Sequence, residues 1–178
     1  MAPALARACT RAWSVQVQRR CRHVAGARVP GGVVRLPARV VGGTGQDGRM
    51  GDVKLCPCRR GESFDECCGP ILAGERAAPT AEMLMRSRYT AYVVGDTEYL
   101  SRSWHPDTRP ADLALESAQR WLFLEIVATE RGGPFDDRGT VEFIAHYKLD
   151  GARDAMHEVS TFTRVHGAWV YVDGTFRA

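Results

Sequence analysis

The sequence predicts an α+β domain, helices first and an antiparallel sheet after them, with a cysteine-bearing segment ahead of both. Three observations carry this. The spacing of apolar residues changes from a helical period to strict alternation near residue 120. The alternating runs are joined by short turn signals, Asp150-Gly151 and His166-Gly167. Four cysteines fall within residues 56–68, outside any periodic segment.

Thr80 opens the first helix, its hydroxyl available to the unpaired N–H groups of the first turn. Glu82 follows where the helix dipole favours an anion, and Gly95 suits the left-handed position that ends a helix after Val94. Asp96 caps a second helix over 97–104, stopped by Pro106. Pro110, a good first helical residue, starts a third over 110–117. Strands are expected at 121–130, 140–149, 154–165 and 168–173. Helices followed by an antiparallel meander pack as helices on one face of a sheet.

Residues 1–49 hold nine Arg, no Lys and one acid, Asp47, whereas residues 50–178 hold 15 basic and 20 acidic side chains. An acidic body argues against a nucleic-acid groove on the folded part, which would have to neutralise phosphates. A basic tail alone could touch nucleic acid or a membrane surface without specificity. Gly and Pro break every period in residues 29–45, so 1–49 is expected to be a disordered basic extension. Its arginines interrupt any secretory core; an Arg-rich, acid-poor segment also fits an organellar presequence, and Met50 offers an alternative start. No run approaches the roughly 20 apolar residues of a membrane span.

The cysteine segment reads Cys56-Pro57-Cys58, eight residues, then Cys67-Cys68-Gly69. Two close pairs across a short loop suit a tetrahedral Zn²⁺ with four thiolate ligands, Cys56, Cys58, Cys67 and Cys68. Pro57 stiffens the first pair and Gly61 permits a reversal; Arg59 and Arg60 offset the negative charge, and Phe64 is expected beneath the loop. Four thiolates leave no open position for water, which makes the zinc structural. So small a unit, about residues 50–74, buries too little to fold without metal. Clustered cysteines also place the protein in a reducing compartment, the cytoplasm, rather than in a disulfide framework.

Residues 56–69 resemble the SEC-C motif, the zinc-binding tail of the bacterial preprotein translocase ATPase. That resemblance implies a protein partner docked through the knuckle, although Arg59-Arg60-Gly61-Glu62 departs from the usual Gly-Lys there. The segments Leu84–Tyr92, Ser103-Trp104-His105-Pro106 and Gly167–Gly174 are similar to the YchJ-like family. The family pairs such a knuckle with a cone-shaped cystatin-like, nuclear-transport-factor-2-like domain, here residues 79–178. It has no established biochemical activity.

A cone leaves a cavity between helix and sheet. Strand parity puts Met156, Glu158, Ser160 and Phe162 on one face, and Trp169, Tyr171 and Asp173 on another. Glu158 and Asp173 stand in line with apolar neighbours, and a buried carboxylate needs a partner. Arg88, on the helical stripe of Leu84 and Ala91, or else Arg86, is expected to reach one of them. The candidate pocket is therefore Arg86, Arg88, Trp104, Glu158, Ser160, Tyr171 and Asp173, with Glu158, Asp173 and His105 as candidate acid–base groups. Three functions follow: an interaction or small-ligand-binding protein with a structural zinc, a small-molecule isomerase, dehydratase or hydrolase, or nucleic-acid binding through the basic residues 1–49.

Overall fold

The computed structural model describes residues 54–177; the expectations for residues 1–49 and for a start at Met50 lie outside them. Three helices come first, α1 (Gly69–Leu72), α2 (Ala81–Val94) and α3 (Thr97–Arg102). Four strands follow, β1 (Gln119–Arg131), β2 (Arg138–Leu149), β3 (Ala152–Val165) and β4 (Ala168–Phe176), in one antiparallel sheet of order β1-β2-β3-β4. Among the described residues no helix is long and apolar enough to cross a membrane.

The caps of α2 and α3 are the ones their sequences call for. Thr80 Oγ1 accepts from Met83 N at 3.1 Å, and Gly95 takes φ +81° at the other end of α2. Asp96 Oδ1 accepts from Tyr99 N at 2.8 Å and starts α3. α3 is shorter than the sequence suggests because the chain after Arg102 pairs with β4. Tyr171 N donates to Ser103 O at 2.9 Å, and His105 N donates to Tyr171 O at 2.7 Å. The helix expected over 110–117 does not form. Leu113 and Leu115, two apart, both pack partly buried on the core. A helix would turn them to nearly opposite sides, so an extended lead into β1 wins.

The sheet is a meander joined by tight hairpins. Asp150-Gly151 and His166-Gly167 each have two positive φ values, about what a two-residue type I′ turn requires. One face, bearing Val141, Phe143, Ala145 and Tyr147 of β2 and Met156, Glu158, Ser160 and Phe162 of β3, is buried. α2 lies on that face: Tyr89 and Tyr92 pack on Trp121 of β1 at 5.9 and 5.8 Å between ring centroids, and Arg88 packs on Tyr171 of β4. The register between β3 and β4 slips by one residue, Thr161 pairing Asp173 but Phe162 pairing Tyr171, so Val172 is a bulge.

Candidate metal centre and buried polar cluster

The cysteine segment is a loop built by local hydrogen bonds. Leu55 bridges Ser63, and Phe64 N donates to Lys54 O at 2.9 Å. Arg59 and Gly61 take φ +57° and +108°, which turns the chain back between Cys58 and Ser63. Ser63 and Glu66 form a reciprocal box: Ser63 Oγ accepts from Glu66 N at 3.2 Å and donates to Glu66 Oε2 at 2.7 Å. Phe64 packs under Gly69, where a Cβ would strike the Phe64 carbonyl and ring.

This loop gathers four buried sulfurs, Cys56, Cys58, Cys67 and Cys68, all within 4.8 Å of one another. Cys58 Sγ lies 3.5 Å from Cys67 Sγ, which is 3.9 Å from Cys68 Sγ. Packed this closely, four thiols cannot all ionise. Hydrogen bonds shared with Cys58 and Cys68 pull the Cys56 thiol down; the same bonds to Cys56 push those two neighbours up, and burial pushes Cys67 up. A bound cation removes that conflict, because every thiolate then faces positive charge. The cluster is compatible with a metal ion.

The loop is not free-standing, for α2 meets it along one stripe. Arg60 Nη1 reaches Met83 Sδ at 2.7 Å, Arg86 Nη1 donates to Cys58 O at 3.1 Å, and Thr90 Oγ1 lies 3.8 Å from Cys56 Sγ. Residues 83, 86 and 90 are spaced i, i+3, i+7, one face of a helix. Arg59 reaches β1, its guanidinium 4.9 Å from the centre of the Phe123 ring. α2 is thus sandwiched between sheet and cysteine loop, and ten of its 14 residues are buried. Arg86, expected toward the cone interior, instead joins Glu82 (2.7 Å) and the cysteine loop. Thr90 escaped the sequence reading, since a helical threonine gives no sign of metal when read alone. Its signal is the stripe it shares with Met83 and Arg86.

Inside the cone a second set of polar groups is sealed. Arg88, Glu158, Ser160 and Tyr171 are each 0% exposed, and Trp104 is 1%. Arg88 Nη1 donates to Leu100 O (2.9 Å) and Ser103 Oγ (2.7 Å); its guanidinium carbon lies 4.6 and 4.9 Å from the ring centres of Tyr171 and Trp104. Glu158 Oε1 accepts from Ser160 Oγ at 2.6 Å and Tyr171 OH at 3.3 Å. Only a glycine at 174 leaves room for that carboxyl, since a Cβ there would overlap Glu158 Oε1. Burial pushes the Glu158 carboxyl up, against its hydrogen bonds and Arg88. Burial also pushes the Tyr92 phenol up to about 12, with Arg88 beside it pulling the other way.

The expected ion pair between Arg88 and a carboxylate is not made. No Glu158 oxygen lies within ion-pairing distance of Arg88, and Arg88 Nε, Arg88 Nη2, Trp104 Nε1 and Glu158 Oε2 are buried without a hydrogen-bond partner. Each such atom costs about 1–3 kcal/mol if left so. Asp173 is exposed: the bulge at Val172 reverses parity after Tyr171 and turns it outward. His105 is not a helix-terminal histidine, since α3 stops at Arg102. Its ring is half-buried and its Nδ1 accepts from Asp107 N at 3.2 Å, a contact within the turn.

Residues 80–174 match the family described as YchJ, middle NTF2-like domain. A UPF0225 protein of Streptomyces coelicolor is 54% identical over 68% of this chain and 94% of its own length. Another, of Geobacter sulfurreducens, is 48% identical over 67% of this chain and 78% of its own. The solution structure of a SEC-C motif containing protein from Rhodopseudomonas palustris superposes with a TM-score of 0.61 at 33% identity, covering 69% of this chain and 98% of that one. A crystal structure of a SEC-C motif containing protein from Psychrobacter arcticus gives 0.55 at 27% identity, with 69% and 82% covered.

Proposed function

The chain belongs to the YchJ-like UPF0225 family, and from that premise we propose that it is a zinc-braced binding protein of the cytoplasm, its zinc structural and its cone the part that binds. The observation that carries the metal assignment is the sulfur geometry. Tetrahedral zinc with bonds of about 2.3 Å needs sulfurs about 3.8 Å apart. Two edges, at 3.5 and 3.9 Å, lie near that value and none exceeds 4.8 Å, so a small contraction of the cluster suits that ion. All four positions are filled by thiolates, so zinc here supplies folding energy and no water to activate. The knuckle then acts as a brace, covering the outer face of α2 and tying residues 54–72 to the cone. Four cysteines gathered at one site with no disulfide between them support a reducing compartment.

Docking of a protein partner through the knuckle has less support than ligand binding in the cone, because the knuckle's Arg59 and Arg60 are engaged by the cone itself. Catalysis has less again: of the three candidate acid–base groups, Glu158 is sealed, Asp173 faces outward and His105 is engaged in a turn with Asp107. Ligand binding is favoured by the unpartnered buried atoms around Arg88, which a bound molecule would satisfy. Metal analysis of the purified chain is the direct test of the brace. One zinc per chain, lost to a strong chelator together with folded structure, is expected; a folded, metal-free protein would refute it.

A further inference from the structure

We propose that the sealed cluster is a binding site for a small carboxylate or similar oxyanion, gripped at two points by the Nε–Nη2 edge of Arg88 and at a third by the Trp104 indole N–H. The proposal rests on the ligand-binding reading above and adds to it the chemical class of ligand. Its starting point is which atoms lack partners. Nε and Nη2 lie on the same edge of a guanidinium, so Arg88 presents one whole fork, the geometry that matches the two oxygens of a carboxylate. The opposite side of Arg88 is already held by Leu100 O and Ser103 Oγ, which fixes the direction of the fork. Trp104 Nε1–H is a third buried donor without an acceptor, on a ring that the guanidinium already touches. Three donors and one permanent positive charge call for an acceptor-rich anion.

Glu158 then acts as the neutral neighbour. Its Oε1 is held by Ser160 and Tyr171, which leaves Oε2 unpartnered. Burial favours the protonated carboxyl. In that form Oε2–H donates to the ligand, Arg88 and the anion cancel, and no net charge is sealed in the core. Tyr92 OH lies at the margin of hydrogen-bonding reach of Arg88, a weak phenolic neighbour that an anion would displace. The lining side chains are 0–1% exposed, so the occupant is a small anion.

The test uses the full-length, zinc-loaded protein. Formate, acetate and nitrate are titrated at constant ionic strength, with acetamide as the neutral analogue of acetate. The readouts are the melting temperature and the NMR signal of the Trp104 indole N–H, identified by its loss in Trp104→Phe. Formate or acetate is expected to shift that signal saturably and to raise the melting temperature, while acetamide does neither. Arg88→Lys keeps the charge but loses the fork, and is expected to weaken binding at least tenfold. If it does not fold, Trp104→Phe, which removes one donor and keeps a ring, is expected to weaken binding severalfold. Acetamide binding as well as acetate would overturn the anion class and leave the ligand reading standing. Anion effects that persist undiminished in the variants would overturn the site. No response to any of the four would overturn both, and would leave the cluster to internal water.

Discussion

Thr90→Val is the sharpest probe of the link between cone and knuckle. Valine keeps the β-branched shape that α2 already accommodates at 0% exposure, so packing is retained and only the hydroxyl is lost. In the proposed zinc site Cys56 is ionised, and that hydroxyl is then the donor to its sulfur. A hydrogen bond to a charged group contributes about 1.5–3 kcal/mol, and loss of an outer partner of a metal ligand costs about 10–100-fold in affinity. The Oγ1···Sγ distance of 3.8 Å is long even for sulfur, which puts the effect at the lower end. The expected loss is therefore about tenfold in zinc affinity, equivalent to about 1.4 kcal/mol. Competition against a chromophoric chelator measures it directly. A zinc affinity within twofold of wild type would show that the contact does not bear on the metal, and that α2 and the knuckle merely touch.

Three further outcomes follow from the same geometry. Cys58→Ser is expected to lose the zinc and to lower the melting temperature of the whole chain in one transition, since α2 loses its outer cover; two transitions with an unchanged cone would contradict this. Gly174→Ala places a methyl group on the Glu158 carboxyl and is expected to cost about 1–3 kcal/mol or more by denaturant unfolding, whereas Asp173→Asn next to it should stay within about 0.5 kcal/mol. Glu158 sets a pH dependence. Its folded pKa lies above the ordinary 4.5, so the folded state holds the proton more tightly, and stability falls as pH rises from about 4.5 through the folded value. Glu158→Gln should flatten that fall, gaining on wild type as pH rises; parallel stability curves would place Glu158 in an ordinary aqueous environment.

Much of this was legible in the residues because it rests on local rules. Thr80, Gly95 and Asp96 mark the ends of α2 and α3 by chemistry confined to a single turn. The Asp-Gly and His-Gly pairs set both hairpins by their φ values. The spacing of the cysteines brings their sulfurs together because a short loop leaves them nowhere else to go. The segment 110–117 misled because Pro110 is a permissive start, not a command; the burial of Leu113 and Leu115, a tertiary demand, decided against a helix.

The two misplaced polar residues have a common cause, which is that a period predicts a face only while the period lasts. Arg86 and Arg88 are two apart on α2, and a helix with one buried stripe would send one of them to solvent. α2 has two buried stripes, one toward the sheet and one toward the knuckle, so both arginines are engaged and neither meets the carboxylate assigned to it. Asp173 follows Tyr171 by two, and unbroken alternation would bury both. The bulge at Val172 spends one residue without a partner, and every later side chain changes sides. That slip also carries Gly174 inward, opposite Ser160, onto the space that Glu158 fills. A regular β4 would have set Asp173 beside Glu158, two buried acids against one arginine. The bulge removes one acid and leaves Arg88 with a single buried carboxyl, one that burial biases toward its neutral form, the charge balance on which binding of an anion depends.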